Sequence, residues 1–190
     1  MRELSLHLLD IAENSIAADA RNITILVNEN TKTDLLQMSV KDDGRGMDAE
    51  TAARVIDPFV TSRSTRKVGL GIPLLKEAAE LCNGYLTLRS QKGAGTELEV
   101  VFQRSHIDRM PLGDLSTTIL NLVVTNPEVH WTFIYQFDDR EFVFDDAPIK
   151  QELDGLALTE PPILKILREM LETGVKETQN GDASNNDRKY

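Results

Sequence analysis

The hydrophobic and polar positions of the chain follow two different periods. Apolar residues recur at helical spacing between residues 2 and 20, which predicts an amphipathic helix with one buried stripe. In the segments 22–28 and 35–42, apolar residues instead alternate with polar ones. This period is typical of half-buried strands, and the polar turn between the segments predicts a strand pair. Asp42 then falls where the second strand ends.

The pattern continues to residue 104. The next predicted elements are a helix over 49–56, an irregular loop over 57–69, a helix that follows a glycine turn and ends at Asn83, and strands over 85–91 and 96–103. This order predicts an α+β fold, a two-layer sandwich in which helices cover one face of a mixed, mostly antiparallel sheet.

The second half of the chain has a different pattern of apolar and polar residues. It predicts a helix over 112–124, a hairpin with strands 130–137 and 140–145, and a helix over 163–172. Few apolar residues follow, which predicts a disordered tail. We therefore divide the chain into a main domain over 1–104, a small α/β extension over 105–173 and a tail over 174–190.

Aromatic side chains are concentrated in the hairpin of the extension. Trp131, Phe133 and Tyr135 alternate along its first strand, and Phe142 and Phe144 follow in the second. This pattern favours a small satellite core packed on the sheet of the main domain. The alternative is an exposed docking face for a partner protein or for a second copy of the chain.

Composition restricts the classes of binding partner and the cellular compartment that we expect. The 190 residues carry a net charge of −10, which argues against a broad nucleic-acid surface or an anionic membrane as partner. Cys82 is the single cysteine, so the chain suits a reducing cytoplasm. No stretch approaches the roughly 18 uninterrupted apolar residues that a membrane span needs. We therefore expect a cytoplasmic protein without a membrane partner.

Four short motifs occur in order along the predicted main domain. They are Asp10 and Asn14 on one face of the first helix, Asp42-x-Gly44-x-Gly46 at a strand end, Gly69-x-Gly71 behind a basic loop, and Gly93-x-Gly95-Thr96 in a hairpin. A carboxylate at a strand end can accept a hydrogen bond from the exocyclic amine of adenine, which guanine lacks. Backbone N–H groups at a helix start favour a phosphate anion, and an asparagine oxygen suits Mg²⁺.

These motifs resemble the boxes of the GHKL ATP-binding family, which includes gyrase, the heat-shock chaperone, histidine kinases and the mismatch-repair ATPase. The segment DIAENSIAADA is similar to the N box, DDGRGM to the G1 box, DPFVTS to the F box and lid start, GLGIPL to the G2 box, and GAGT to the last glycine motif. The resemblance covers residues 1 to about 104. It implies a histidine kinase-like ATPase domain that binds ATP with Mg²⁺.

The resemblance also implies a role for each motif residue. Asn14 would ligate Mg²⁺, Asp42 would read adenine, and Thr96 would support that contact. Gly44, Gly46 and Met47 would line the base pocket, Gly69, Leu70 and Gly71 would face the phosphates, and Thr61, Ser62, Arg63, Arg66 and Lys67 would form a lid that closes on the terminal phosphates. A solvated loop is the alternative interpretation of this charged segment.

The first helix departs from the family pattern at Asp10. Hydrolytic members carry glutamate there to orient and deprotonate water, and aspartate is one methylene shorter. Asp10 is thus a candidate catalytic base, with support of the Mg²⁺ shell as its alternative role. His7, one turn earlier, could pair with Asp10 or donate to a phosphate, but we favour a structural role near the helix start.

The segment 105–115 resembles the H box of histidine kinases, which makes His106 a candidate phosphoacceptor. His106 and Pro111 have the offsets of that box. However, Ile107 stands where an acidic residue should follow the histidine, and the segment leaves a strand rather than extending a long helix. A linker with a helix-starting proline is the preferred interpretation.

Together these features predict a signalling protein kinase of the anti-sigma-factor or histidine-kinase type that phosphorylates a partner protein. Two alternatives remain open. One is an ATP-gated binding switch with little turnover, and the other is a slow ATPase with water as acceptor. The partner is another protein, with a homodimer of this chain as a further candidate assembly.

Overall fold

The computed structural model describes residues 3–57, 71–153 and 155–181. Its elements are α1 (Leu4–Ala17), β1 (Asn22–Asn30), β2 (Leu35–Asp42), α2 (Ala49–Val55), α3 (Gly71–Leu81), β3 (Tyr85–Gln91), β4 (Gly95–Gln103), α4 (Leu115–Thr125), β5 (His130–Phe137), β6 (Arg140–Asp145), α5 (Asp146–Glu152) and α6 (Pro161–Asn180). None of the described helices is both long and apolar enough to cross a membrane.

The strands form one six-stranded sheet with the order β3-β4-β2-β1-β5-β6. β1 pairs antiparallel with β2, where Ile25 lies opposite Val40. On its other side β1 pairs in parallel with β5, where Ile25 lies opposite Phe133. The remaining pairs are antiparallel. The prediction of an α+β fold with a mixed, mostly antiparallel sheet is confirmed.

Alternating burial explains which face of the sheet the helices cover. Ile23, Ile25 and Val27 of β1 are buried, and the residues between them are partly exposed. The buried residues meet a single apolar cluster that includes Leu8 of α1 and Leu75 of α3. Burial of such side chains contributes roughly 1.5–3 kcal/mol each, so this cluster dominates the stability of the fold.

The aromatic hairpin belongs to this same core, so the expectation of a separate satellite core is wrong. Trp131, Phe133 and Tyr135 are at most 1% exposed and join the cluster that holds Leu8. The parallel pairing of β5 with β1 explains the difference, because it places these side chains beside Ile23, Ile25 and Val27. The burial also excludes these three rings as an exposed docking face.

The last helix is longer than predicted, and residues 174–180 are helical rather than a disordered tail. Tertiary contacts hold this polar segment. A Cβ on Gly174 would lie 2.2 Å from the Phe142 ring, and Thr178 is buried. Arg140 Nε donates to the Thr178 carbonyl at 2.7 Å, which satisfies an end group of the helix. Residues 182–190 lie outside the described residues.

Candidate functional site

A cavity of about 510 Å³ opens at the end of the sheet where β2 terminates. Three of the sequence motifs line it. The predicted site residues among its lining are Asp10, Asn14, Asp42, Gly46, Met47 and Thr96. The apolar walls come from Val40, Val55, Ile72, Leu88 and Leu98. A cavity with apolar walls and a few convergent polar groups is typical of a small-molecule site.

Asp42 lies at the inner wall of this cavity with its carboxylate held by three donors. Its Oδ2 accepts a hydrogen bond from the Ser15 hydroxyl at 2.7 Å. Its Oδ1 accepts from the backbone N–H groups of Gly44 at 2.9 Å and Thr96 at 3.2 Å. Asp42 is 9% exposed, and the three donors fix the orientation of its carboxylate. Such a carboxylate is an oriented acceptor for a ligand donor.

Two glycines let the loop after β2 and the β3–β4 turn approach this carboxylate. Gly46 has φ +60° and a Cβ there would lie 2.0 Å from the Gln91 carbonyl oxygen. Gly95 has φ +92° and a Cβ there would lie 1.9 Å from the carbonyl oxygen of Asp42. Both positions therefore exclude any side chain, and the motif glycines serve close backbone packing.

The third motif meets the first at the start of α3. A Cβ on Gly71 would lie 1.9 Å from Asp10 Oδ2, so the Asp10 carboxylate touches the first residue of that helix. Asn14 follows one turn later on α1 and is exposed at the cavity. The structure thus brings a carboxylate, a carboxamide and a helix N-terminus together at one side of the cavity.

His7 lies one turn before Asp10 and is buried. Burial lowers the pKa of His7, while the Asp10 carboxylate acts in the opposite direction. A neutral, buried imidazole agrees with the structural role that we favour for this residue.

Thr61, Ser62, Arg63, Arg66, Lys67, Gly69 and Leu70 lie outside the described residues, and their roles stay predictions.

His106 is not near the cavity. It lies in a turn after β4, and its Nδ1 accepts a hydrogen bond from the Asp108 backbone N–H at 3.2 Å. Thr96 lies near the opposite end of the same strand, which at about 3.3 Å per residue is roughly 23 Å from Gln103. The structure therefore separates the candidate phosphoacceptor from the candidate site within one molecule.

Ser15 and Ser90 complete the site, and the sequence motifs did not include them. The Ser90 hydroxyl accepts from the Met47 backbone N–H at 2.8 Å and lies 2.8 Å from Thr96 Oγ1. Ser15 supplies the side-chain donor to Asp42. The position of Ser15 on the buried face of α1 was a usable signal, because a buried hydroxyl requires a partner. Ser90 gave no comparable signal.

Arg45 is a further cavity residue that the sequence motifs left unassigned. Its backbone N–H donates to the Ala18 carbonyl at 2.9 Å, and its Nη2 donates to the Ala17 carbonyl. The guanidinium also lies 3.5 Å from the exposed Asp19 carboxylate. Arg45 thus satisfies carbonyl groups at the C-terminal end of α1 and closes that side of the cavity.

One family of known proteins matches the first half of the chain. The family described as histidine kinase-, DNA gyrase B-, and HSP90-like ATPase matches residues 2–106, more than half of the chain. The heme sensor protein HssS of Staphylococcus saprophyticus is 34% identical over 83 residues, which are 43% of this chain and 18% of that protein. The sensor protein kinase FleS of Pseudomonas aeruginosa is 39% identical over 88 residues, 46% of this chain and 22% of that protein.

This chain thus spans about a fifth of the length of these two relatives. Among solved structures, the MutL ATPase domain of Aquifex aeolicus, complexed with ADP, matches with a TM-score of 0.51 and 18% identity. The match covers 91% of this chain and 70% of that one. At this identity the likeness shows the fold alone.

Proposed function

The chain belongs to the family of histidine kinase-, DNA gyrase B- and HSP90-like ATPases, and from this membership we propose that it binds Mg·ATP in the cavity beside Asp42. The observation that carries the proposal is the buried Asp42 carboxylate, which three donors orient at the wall of an apolar cavity. Adenine presents an exocyclic N–H donor to such an acceptor, whereas guanine presents a carbonyl oxygen at the corresponding position. The site therefore favours ATP over GTP.

The residues present at the cavity fit a magnesium ion. Asn14 offers a carboxamide oxygen at the exposed end of α1, and Asp10 lies one turn earlier on the same face. Mg²⁺ prefers oxygen ligands, keeps several waters and bridges to phosphates, and when bound it supplies charge neutralisation for the phosphate oxygens. We assign Asn14 as the protein ligand and Asp10 as a candidate base or a support for the bound waters.

The proposed reaction is transfer of the terminal phosphoryl group of ATP to a partner protein, with release of ADP. Similarity to sensor proteins such as HssS and FleS supports a signalling kinase. Thr61, Ser62, Arg63, Arg66 and Lys67 are the proposed contacts to the terminal phosphates. The partner would supply the acceptor side chain, since His106 is distant from the cavity within one molecule. A cytoplasmic location and a second copy of the chain as partner also belong to this proposal.

An ATP-gated binding switch is the second candidate function. The observation that favours it is the direct pairing of β5 with β1, the strand adjacent to β2, which ends in Asp42. A nucleotide-dependent shift at this sheet end would therefore reach the second half of the chain through paired strands. The short side chain of Asp10 agrees with low turnover, and a slow ATPase is the third outcome.

Calorimetry with ATP and GTP tests the binding proposal. ATP should bind at least about tenfold more tightly than GTP, since each unmade hydrogen bond to a charged group costs roughly 1.5–3 kcal/mol. Asn14→Ala should weaken binding only when Mg²⁺ is present. Asn121→Ala, an exposed asparagine of α4, is the matched control and should change nothing. Equal affinities for ATP and GTP would contradict the adenine assignment.

A second experiment separates the three functions once binding is established. The protein is incubated with γ-labelled ATP and a candidate partner. Label on the partner supports the kinase, free labelled phosphate supports hydrolysis, and nucleotide-dependent association without turnover supports the switch. Asp10→Asn should spare binding and remove turnover, and persistent turnover would exclude Asp10 as the base. Acid-labile label on the protein that disappears in His106→Ala would make His106 the acceptor.

A further inference from the structure

His130 connects four strand ends at the same end of the sheet as the cavity. It is the first residue of β5 and lies opposite Asn22, the first residue of β1. Its Nδ1 lies 3.0 Å from Asn22 Oδ1, and its Nε2 lies 2.9 Å from Asp145 Oδ1 at the end of β6. Asn22 in turn donates from Nδ2 to Asp43 at 2.6 Å, and Asp43 directly follows Asp42.

The direction of these hydrogen bonds defines the protons on the imidazole. The Asp43 carboxylate accepts from the backbone N–H groups of Arg21 and Asn22 and from the Asn22 amide. A carboxylate only accepts, so the Asn22 amide nitrogen faces Asp43 and its oxygen faces His130. Nδ1 of His130 must therefore carry a proton to complete the contact.

The other imidazole nitrogen also faces an acceptor. Asp145 Oδ1 accepts from the Ala147 backbone N–H at 2.9 Å, and this bond, followed by the one from His130, lowers the pKa of Asp145. Nε2 of His130 therefore donates to an ionised carboxylate. Both contacts are made together only by the doubly protonated, positively charged imidazolium.

Carboxylates and cations both lie around His130, and one of the cations argues against a metal ion at this position. The donor atoms of His130, Asp145 and Asp146 lie within 4.8 Å of one another. However, Lys150 Nζ lies 2.6 Å from Asp146 Oδ2 and also donates to the Val129 carbonyl. The ammonium already neutralises this carboxylate. Besides these groups, Arg21 precedes Asn22 as an exposed cation, and Asp43 faces the imidazole through the Asn22 amide.

We propose that His130 is a positioning residue for the adenine pocket, and that its protonated form tightens nucleotide binding by holding Asp43, and with it Asp42, through Asn22. This inference rests on the proposed function and adds a regulation of the same site. Loss of one proton as the pH rises breaks one of the two contacts, interrupts the side-chain connection from Asp43 to Asp145 of β6, and lowers affinity.

The test compares ADP affinity in wild-type protein and in His130→Gln between pH 5.5 and 8.5. The ratio of the two dissociation constants at each pH cancels the titration of ADP itself. At pH 6 the variant should bind about fivefold more weakly, the lower end of typical coupling between sites, and the ratio should approach one at pH 8.5. A ratio that is one throughout, or constant above one, would overturn the proposal.

Two further variants separate this connection from a general loosening of the sheet. Asn22→Ala keeps His130 and Asp145 but removes the amide between His130 and Asp43, so it should abolish the pH-dependent part of the affinity. Gln136→Ala removes the 2.7 Å hydrogen bond that joins β5 to β6 through Glu141 near the other end of these strands. It should match wild type at every pH. A pH-dependent ratio in Gln136→Ala would overturn the proposal.

Nitrogen chemical shifts of the His130 ring give a readout that does not depend on ligand. We expect both ring nitrogens to be protonated at pH 6, and a neutral ring there would overturn the proposal. Absence of ADP binding by wild-type protein at every pH would overturn the proposed function together with this inference. Binding with identical pH profiles in wild type and His130→Gln would overturn the inference alone.

Discussion

Two buried carboxylates of the same sheet accept hydrogen bonds from different kinds of donor. Glu29 of β1 is 5% exposed and Asp42 of β2 is 9% exposed. Glu29 accepts from the Tyr135 hydroxyl at 2.9 Å and from Arg104 Nε at 3.0 Å. Asp42 accepts from one hydroxyl and two backbone N–H groups, and no salt bridge to it is seen in residues 3–57, 71–153 and 155–181.

The surroundings of Glu29 are closed by side chains of the protein itself. Arg104 lies 5.4 Å from the centre of the Phe137 ring, and Arg140 lies 5.3 Å from it. Burial, and then the adjacent charge of Glu29, raises the pKa of Tyr135, so its hydroxyl remains a donor. Asp42 instead borders a cavity, and a buried carboxylate that no internal cation neutralises is a candidate for ligand binding.

The largest expected effect is the loss of ATP binding in Asp42→Asn. The asparagine oxygen can still accept from the Gly44 and Thr96 N–H groups, so the fold should persist. Its amide nitrogen would face the adenine amine, donor against donor, and the dissociation constant for ATP should rise at least about 100-fold. Calorimetry measures the affinity, and thermal unfolding is the control for the fold. Unchanged affinity would remove Asp42 from the site.

The corresponding change at Glu29, which side chains of the protein itself enclose, should lower stability without changing ATP binding. Glu29→Gln leaves Arg104 without its charge partner. Breaking a buried ion pair costs about 3–5 kcal/mol, and partial exposure of Arg104, at 30%, reduces this to about 2 kcal/mol. Urea unfolding should show that loss of stability. The dissociation constant for ATP should change by less than about twofold, which is smaller than the effect of losing one typical hydrogen bond. A large loss of ATP affinity would show that the two sheet ends are coupled.

Local pattern predicted most of the strands. The segments 85–91, 130–137 and 140–145 are strands with the predicted bounds, because alternation and turn residues are local signals. The first helix ends earlier than predicted, at Ala17, since the chain turns at Asp19 with φ +62°. The short helix α5 was not predicted, and its N-terminus depends on the Asp145 side chain.

Long-range contacts were beyond the reach of the sequence. Nothing local in residues 130–137 indicates parallel pairing with β1, and the helical state of residues 174–180 depends on Arg140 and Phe142. The same limit applies to the site. The motif residues Asp42, Gly46 and Thr96 line one cavity, whereas Ser90 joins them only through pairing of β3 with β4.

Gly93 and Gly95 of the β3–β4 turn differ in the space that a side chain would find there. Gly93 and Gly95 both have positive φ, but a Cβ on Gly93 meets nothing within 4 Å. Gly93→Ala should therefore cost only the backbone strain, about 1 kcal/mol. Gly95→Ala must also displace the Asp42 carbonyl, so it should cost at least about 2 kcal/mol and weaken ATP binding. Chemical denaturation and calorimetry of both variants measure this, and equal losses would contradict the close approach.

The smallest expected effect concerns His7, another buried titratable group, which lies one turn before Asp10 of the cavity. Because burial lowers the pKa of His7, the unfolded chain takes up a proton near pH 6.5 while the folded protein does not. Titration of His7 alone should thus make the free energy of unfolding fall as the pH drops below about 6.5. His7→Gln should lessen this fall between pH 7 and 5, measured by urea unfolding. Burial raises the pKa of Asp43, but hydrogen bonds outweigh it and lower the pKa, as they do for Asp145. The stability that these two carboxylates contribute is lost mainly as the pH falls through and below the ordinary aspartate pKa near 4, so it changes little between pH 7 and 5. An unchanged acid response in His7→Gln would show that the imidazole is protonated in the folded protein.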